Sequence, residues 1–290
     1  MSNIRPNLFI IGAMKAGTTS LHEYIGEHPE IYMSAIKEPS HFSQRNSYAQ
    51  GNEHYLDLFR NAEGYPIIGE SSTQYAKAPF IQGVPERIYT FNPEAKIIYI
   101  MRDPIERAIS HYWFNWQNHG EKRSMSTAIK DDRCYTDISN YAMQLSLYAK
   151  VFDWSHIKVV TTEELNTHPV STIQNIYRWL GVNDQFIPAN PNQQYNITPR
   201  EIFRANRIPD SVGNFLRSNF YHNIRRYIPN RFKKYGKAVI QERIDRKQAS
   251  KTELEFVVPY LRSVMQNQVK ELETMLERDF LVWTTFYNQI

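Results

Sequence analysis

Lys15, Glu38, His41, Arg102 and Ser110 are the side chains of this sequence whose types and surroundings suit the handling of a charged group. Lys15 lies in FIIGAMKAGTTSL, residues 9–21, where an apolar run ends at Gly12 and a second glycine, Gly17, opens a helical pattern. Strand, glycine turn and helix N-terminus together present backbone N–H groups to a phosphate. Gly12, Gly17, Thr18 and Thr19 fall into register with the G-x-x-x-x-G-K-[ST] loop that holds nucleoside triphosphates, but Thr18 takes the lysine position and the lysine has moved to Lys15. The cradle formed by Lys15, Ala16, Gly17, Thr18, Thr19 and Ser20 is kept, and the reach toward β and γ phosphates is lost. Asp103, the nearest candidate for a magnesium-binding acid, lies two residues past a strand end and reads better as a helix cap. The expectation is a loop that grips one phosphate without a metal. A tight turn with an incidental lysine is the plain alternative.

A second phosphate contact is read from IIYIMRDPIERAISHYW. It places Arg102 at the carboxyl end of a strand and Ser110 two turns into the next helix. Ligands of open parallel sheets bind at that end, and a guanidinium there can fork onto a phosphate with help from the hydroxyl. An isolated arginine at a strand end is more often a surface ion pair.

These residues need a scaffold, and the hydrophobic pattern supplies one. Buried strands are expected at Leu8–Ile11, Ile67–Gly69, Ala95–Met101 and Ile157–Thr161, alternating with amphipathic helices. Leu21, Tyr24, Ile25 and His28 give one helix face, and Pro29 stops it. Asp103 caps the next long helix, Pro104 suits its first position, and Glu106 stands where a capping box takes an acid. PVSTIQNIYRWLG forms another helix ending at Gly181. The fold class is α/β: a three-layer, P-loop-like arrangement with a central parallel sheet flanked by helices. One domain over residues 1–290 is expected, with a donor-binding core at about 6–182, an irregular stretch, and a C-terminal docking helix. Leu254, Val258, Leu261, Met265, Leu272, Met275 and Leu276 recur at near-heptad spacing, but Pro259 and the aromatic FLVWTTFY favour a helix packed on the domain over a coiled coil.

Composition narrows the setting. A hydrophobic content of 41% over 290 residues supports a sizeable core, and the single cysteine, Cys134, excludes an internal disulfide framework. No signal peptide and no membrane span are read, so a cytoplasmic protein is expected. The net charge of +4 is unevenly spread, with twelve Arg/Lys against three Asp/Glu in residues 204–247. That segment is either a surface for polyanions or an anionic membrane, or the solvated face of a docking helix or loop. No nucleic-acid partner is expected, and the oligomeric state is not legible.

With both phosphate elements in view, the sequence resembles the sulfotransferase family, in its bacterial and carbohydrate branch. GAMKAGTTSL looks like the family's 5'-phosphosulfate loop, IMRDPIERAISHYW is similar to its 3'-phosphate segment, and KEPSHFS at 37–43 resembles the KEPxxFS stretch of that branch. GESSTQY and PERIYTFNPEAKIIYIMRDP extend the likeness. The resemblance implies 3'-phosphoadenosine-5'-phosphosulfate as donor, with no metal, and in-line transfer to a hydroxyl acceptor, a saccharide or glycolipid. It also implies that Lys15 neutralises the leaving phosphate, that the loop from Ala16 to Ser20 holds the 5'-phosphate, that Arg102 and Ser110 hold the 3'-phosphate, and that Glu38 is the base. His41 is the rival base. Sulfuryl transfer needs a positioned donor, a cation on the bridging oxygen and a base for the acceptor proton, which fits this assignment.

Departures from the pattern are also visible. Ser71 stands where some glycosaminoglycan enzymes carry a lysine, and no late basic loop closes over the 3'-phosphate, Arg200 in YNITPRE being the substitute. Tyr75, Tyr112, Trp113 and Trp116 either stack on sugars in an acceptor cleft or belong to the core. Two other classes stay open: a P-loop nucleotide or small-molecule kinase, and a non-catalytic module binding polyanions or a membrane surface.

Overall fold

The structure is a computed structural model and describes residues 4–44, 48–49, 51–190, 201–205 and 241–288. Five parallel strands build the central sheet: β1 (Leu8–Gly12), β2 (Ile31–Met33), β3 (Ile67–Ser71), β4 (Lys96–Met101) and β5 (Ile157–Thr161), in the order β2-β3-β1-β4-β5. Each expected strand is present, and β3 runs on through Glu70 and Ser71. The short edge strand β2 is an addition, since three residues of IYM carry too little pattern to be read locally. Register is set by apolar runs buried on both faces, as in LFIIG of β1 and KIIYIM of β4. Leu8 pairs with Gly69 on one side and Lys96 on the other.

The helices used below are α1 (Thr18–Gly26), α2 (Val84–Phe91), α3 (Pro104–Asn118), α4 (Tyr141–Ala149), α5 (Thr162–Thr167), α6 (Pro169–Leu180), α7 (Arg246–Leu276) and α8 (Thr284–Tyr287). Alternation along β1 sorts them into layers. Leu8 and Ile10 face a cluster with Leu21, Tyr24 and Ile25 of α1 and Ile173, Ile176 and Tyr177 of α6. Phe9 and Ile11 face a larger cluster with Ile88 of α2, Ile105 and Ala108 of α3, Leu145 of α4, and Val258, Leu261 and Met265 of α7. The long helix therefore packs back on the domain, against α3 and α4, and it continues through Pro259.

Two expectations are changed. The stretch read as irregular contributes β6 (Glu201–Ala205), which pairs antiparallel with β7 (Gln241–Asp245), Glu201 opposite Asp245. A ribbon closed across so long a connection leaves no local signature. Glu106 does not complete a capping box: Asp103 alone caps α3, accepting from Ile105 N at 3.0 Å and Glu106 N at 3.3 Å. Arg200 and residues 206–240 of the basic segment lie outside the described residues.

Candidate active site

Strand order decides where a ligand can sit. The chain leaves β1 toward β2 on one side and leaves β4 toward β5 on the other, so a crevice opens between the carboxyl ends of adjacent β1 and β4. A cleft of about 1130 Å³ lies there, lined by Lys15, Gly17, Thr18, Thr19, Ser20, Glu38, Arg102 and Ser110 among others. Except for Ala16, His41 and the undescribed Arg200, every residue assigned a role from the sequence borders this one space.

The loop after β1 is shaped by backbone conformation. Gly17 takes φ +85°, a left-handed position that favours glycine, and starts α1 with no side chain capping its N-terminus. The first-turn amides and the positive end of the helix dipole are thus presented to the cleft. Gly12 is fixed by space as well, since a Cβ there would lie 3.1 Å from the Ala76 Cβ and 3.3 Å from a Tyr99 ring carbon. Ala16 is buried, and its carbonyl lies 2.6 Å from Thr162 Oγ1, which is also 2.9 Å from the Met101 carbonyl. One hydroxyl of α5 thereby ties the β1 loop to the end of β4. Lys15, itself at φ +71°, holds its ammonium 4.9 Å from the centre of the Phe114 ring.

Glu38 is held by the end of β3. Its backbone N–H donates to the Ser71 carbonyl at 3.0 Å, and its Oε2 accepts from Thr73 N at 2.7 Å and Thr73 Oγ1 at 3.1 Å. Lys37 Nζ donates to Oε1 at 2.9 Å and lies 3.4 Å from Thr18 Oγ1, which links the carboxylate to the loop after β1. Glu38 and Ser40 both have positive φ, 66° and 57°. Such backbone persists only where the surroundings over-determine it. Ser40 N donates to Ser72 Oγ at 2.9 Å, and Ser72 donates to Glu70 Oε2 at 2.6 Å. Tyr55 and Tyr75 donate to the other Glu70 oxygen at 3.0 and 2.6 Å. Burial pushes the Glu70 carboxyl up to about 7, against these hydrogen bonds, which favour its ionised form.

His41 does not border the cleft. Its ring is buried, stacks on Tyr55 at 4.5 Å, and places Nε2 2.9 Å from Asn52 Oδ1. Burial holds its pKa below the usual histidine range. Tyr75, Tyr112, Trp113 and Trp116 are likewise core residues and not cleft residues; for the three on α3, the cleft face of the helix runs through Glu106, Ser110, His111 and Phe114.

At the β4 side, Arg102 donates from NH2 to Glu106 Oε2 at 2.8 Å, and its carbonyl accepts from Tyr141 OH at 2.8 Å. His111, next to Ser110, has its pKa pushed down to about 2 by burial and then by the charges of Arg107, Lys77 and Lys15. It is a neutral ring in a cationic wall. Arg107 is fully buried and donates to Ser139 Oγ at 2.5 Å and the Tyr135 carbonyl at 2.7 Å.

Sequence reasoning missed Lys37, Lys77, His111, Phe114, Thr162 and the cleft-lining Thr284 and Thr285. Phe114 and His111 were recoverable from the helical face that carries Ser110. Lys77, whose ammonium pKa is lowered by burial with Glu38 opposing, sits in no motif, and the threonines lie far along the chain.

Comparison with known proteins agrees with the geometry. The family profile described as "Sulfotransferase domain" matches residues 5–246. The chain is similar to the membrane-associated sulfotransferase kil1 of Dictyostelium discoideum, 36% identical over 115 residues, or 39% of this chain and 23% of that protein. It is also similar to heparan sulfate glucosamine 3-O-sulfotransferase 5 of Mus musculus, 30% identical over 207 residues, or 66% of this chain and 56% of that protein. The chain thus spans less than two thirds of either relative. A solved sulfotransferase from Alicyclobacillus acidocaldarius shares the fold with a TM-score of 0.68 at 24% identity, covering 97% of this chain and 99% of that one.

Proposed function

The chain belongs to the sulfotransferase family, and on that premise we propose that it moves the sulfuryl group of 3'-phosphoadenosine-5'-phosphosulfate to a hydroxyl of a saccharide acceptor. The observation that carries this reading is the meeting of two separate anion-binding elements, the β1 loop and the Arg102–Ser110 segment, in one crevice with a fixed carboxylate beside them. Their residues fit a donor with a phosphate at each end: an uncapped helix N-terminus with Lys15 on one side, a guanidinium and a hydroxyl on the other. When bound, such a donor supplies a sulfuryl group already attached to a phosphate leaving group.

The protein's part follows from the geometry. The α1 amides from Thr18 to Ser20 orient the 5'-phosphate, and Lys15 puts a positive charge where the bridging oxygen gains negative charge. Arg102 and Ser110 fix the other end, so the reacting atoms are held in line. Glu38 accepts the proton of the attacking hydroxyl. Thr73 fills both lone pairs of Oε2 and Lys37 takes one of Oε1, which keeps the carboxylate in place and leaves a lone pair on Oε1 for the proton. The remaining wall, with Gln74, Lys77, Asn115 and His119, offers hydrogen-bonding groups to a hydroxyl-rich acceptor, in keeping with the heparan sulfate named for one relative. Asp103 is committed elsewhere: Oδ1 caps α3 and Oδ2 accepts from Phe286 N at 2.9 Å, which disfavours the kinase alternative that needs it as a magnesium ligand.

Titration calorimetry with adenosine 3',5'-bisphosphate, followed by transfer of labelled sulfate to a panel of glycans, tests the reading. Saturable binding and labelling of a glycan hydroxyl are expected. Absence of bisphosphate binding overturns it.

A further inference from the structure

The turn after α7 comes back to the donor end of the cleft and is tied down from both sides. Arg262 of α7 donates from Nε to the Phe286 carbonyl at 2.7 Å, and from NH2 to the carbonyls of Thr285 at 2.8 Å and Asn288 at 2.6 Å. Toward the site, Phe286 N donates to Asp103 Oδ2 at 2.9 Å, and Thr285 Oγ1 donates to Glu106 Oε1 at 3.0 Å. Glu106 then accepts from Arg102 NH2 through its other oxygen, Oε2, at 2.8 Å. A continuous chain of contacts runs from α7 through Thr285 and Glu106 to the guanidinium.

A carboxylate and a guanidinium left to themselves favour two parallel hydrogen bonds. Glu106 makes one, through Oε2, while its Oε1 accepts from the Thr285 hydroxyl. Among the described residues the Arg102 side chain has no further hydrogen bond, so Nε and NH1 are kept for a ligand in the cleft that Arg102 lines.

We infer that Thr285 is a positioning residue for the donor's 3'-phosphate: it holds Glu106 so that Glu106 restrains Arg102 by one bond and leaves the remaining guanidinium donors open to the phosphate. The inference rests on the donor reading above. Thr285 itself touches no reacting atom.

Calorimetry with two probes separates this role from a general structural one: adenosine 3',5'-bisphosphate, and adenosine 5'-monophosphate, which lacks the 3'-phosphate. The unmodified protein is expected to prefer the bisphosphate. Thr285→Val is expected to weaken bisphosphate binding about tenfold, the scale of one hydrogen bond to a charged group. Monophosphate binding and the acceptor KM stay unchanged, and Thr285→Ser restores the bisphosphate affinity. In a Glu106→Ala background, Thr285→Val is expected to have no further effect, because the link it serves is already gone. Equal weakening of both probes by Thr285→Val, no weakening of the bisphosphate, or additive losses in the double variant overturns the inference. If the unmodified protein does not distinguish the two probes, the donor reading fails first and the inference fails with it.

Discussion

Glu38 is bound by Thr73 and Lys37 yet remains partly open to the cleft, with its side chain 36% exposed. A base in this position must be fixed in direction and still reachable by the acceptor hydroxyl, and both conditions are met by hydrogen bonds that use only some of its lone pairs. Replacing Glu38 by Gln keeps the shape and removes the basicity. Turnover is expected to fall by about 10²- to 10⁴-fold, with bisphosphate affinity unchanged by calorimetry. Glu70, one layer deeper, makes a different prediction. Its carboxyl titrates near 7 in the folded protein, raised by burial from an ordinary value of 4.5. The folded state therefore holds a proton that the unfolded state has already lost, and stability contributed by that proton disappears as pH rises from about 4.5 through about 7. The melting temperature of the unmodified protein minus that of Glu70→Gln should fall across that window and level off above it. A constant difference contradicts the buried-acid assignment.

At the scale of elements, the end of β3 is a clamp for the loop that carries Glu38, the proposed base. Ser71, Ser72 and Thr73 each hold one point of residues 38–40. Ser72→Ala removes the acceptor for Ser40 N and one donor to Glu70, so the left-handed turn is free to relax. The expected result is a fall in kcat of about 10- to 100-fold from misplacement of Glu38, with little change in bisphosphate affinity. The same element explains what the sequence made legible. Residues 15–20 could be read because a phosphate loop is contiguous and its glycine spacing is dictated by backbone geometry. Arg102 and Ser110 could be read because a strand end and one helix face lie within a few residues. The support for Glu38 could not: Ser72 and Thr73 reach it across more than thirty positions, and nothing in ESST announces which hydroxyl turns toward the loop. The surroundings of His41 are not legible for the same reason, since its partner Asn52 and the stacking ring of Tyr55 lie on a later segment.

At the scale of the molecule, apolar clusters pack on both faces of the sheet that carries the crevice, and the turn after α7 is fastened to one of them. Trp283 is fully buried, stacked on Phe280 at 4.3 Å and tilted against Tyr141 at 5.8 Å. Tyr141 in turn holds the Arg102 carbonyl. Trp283→Ala is expected to cost about 3–5 kcal/mol of unfolding free energy, measured by denaturant titration, the usual range for emptying a buried aromatic site. A loss below about 1 kcal/mol would show that the turn is not part of the cooperative core.

The contact between Glu106 and Thr285 joins positions 179 residues apart. On a ribosome adding about 5–20 residues each second, the arginine segment emerges on the order of ten seconds or more before the threonine that steadies it. All five strands of the central sheet and the loop after β1 are made before that turn, and the contact that steadies Glu106 waits for it. The two ends of the crevice are therefore completed at different times during synthesis: Glu106 stays unanchored until the turn that carries Thr285 has been made.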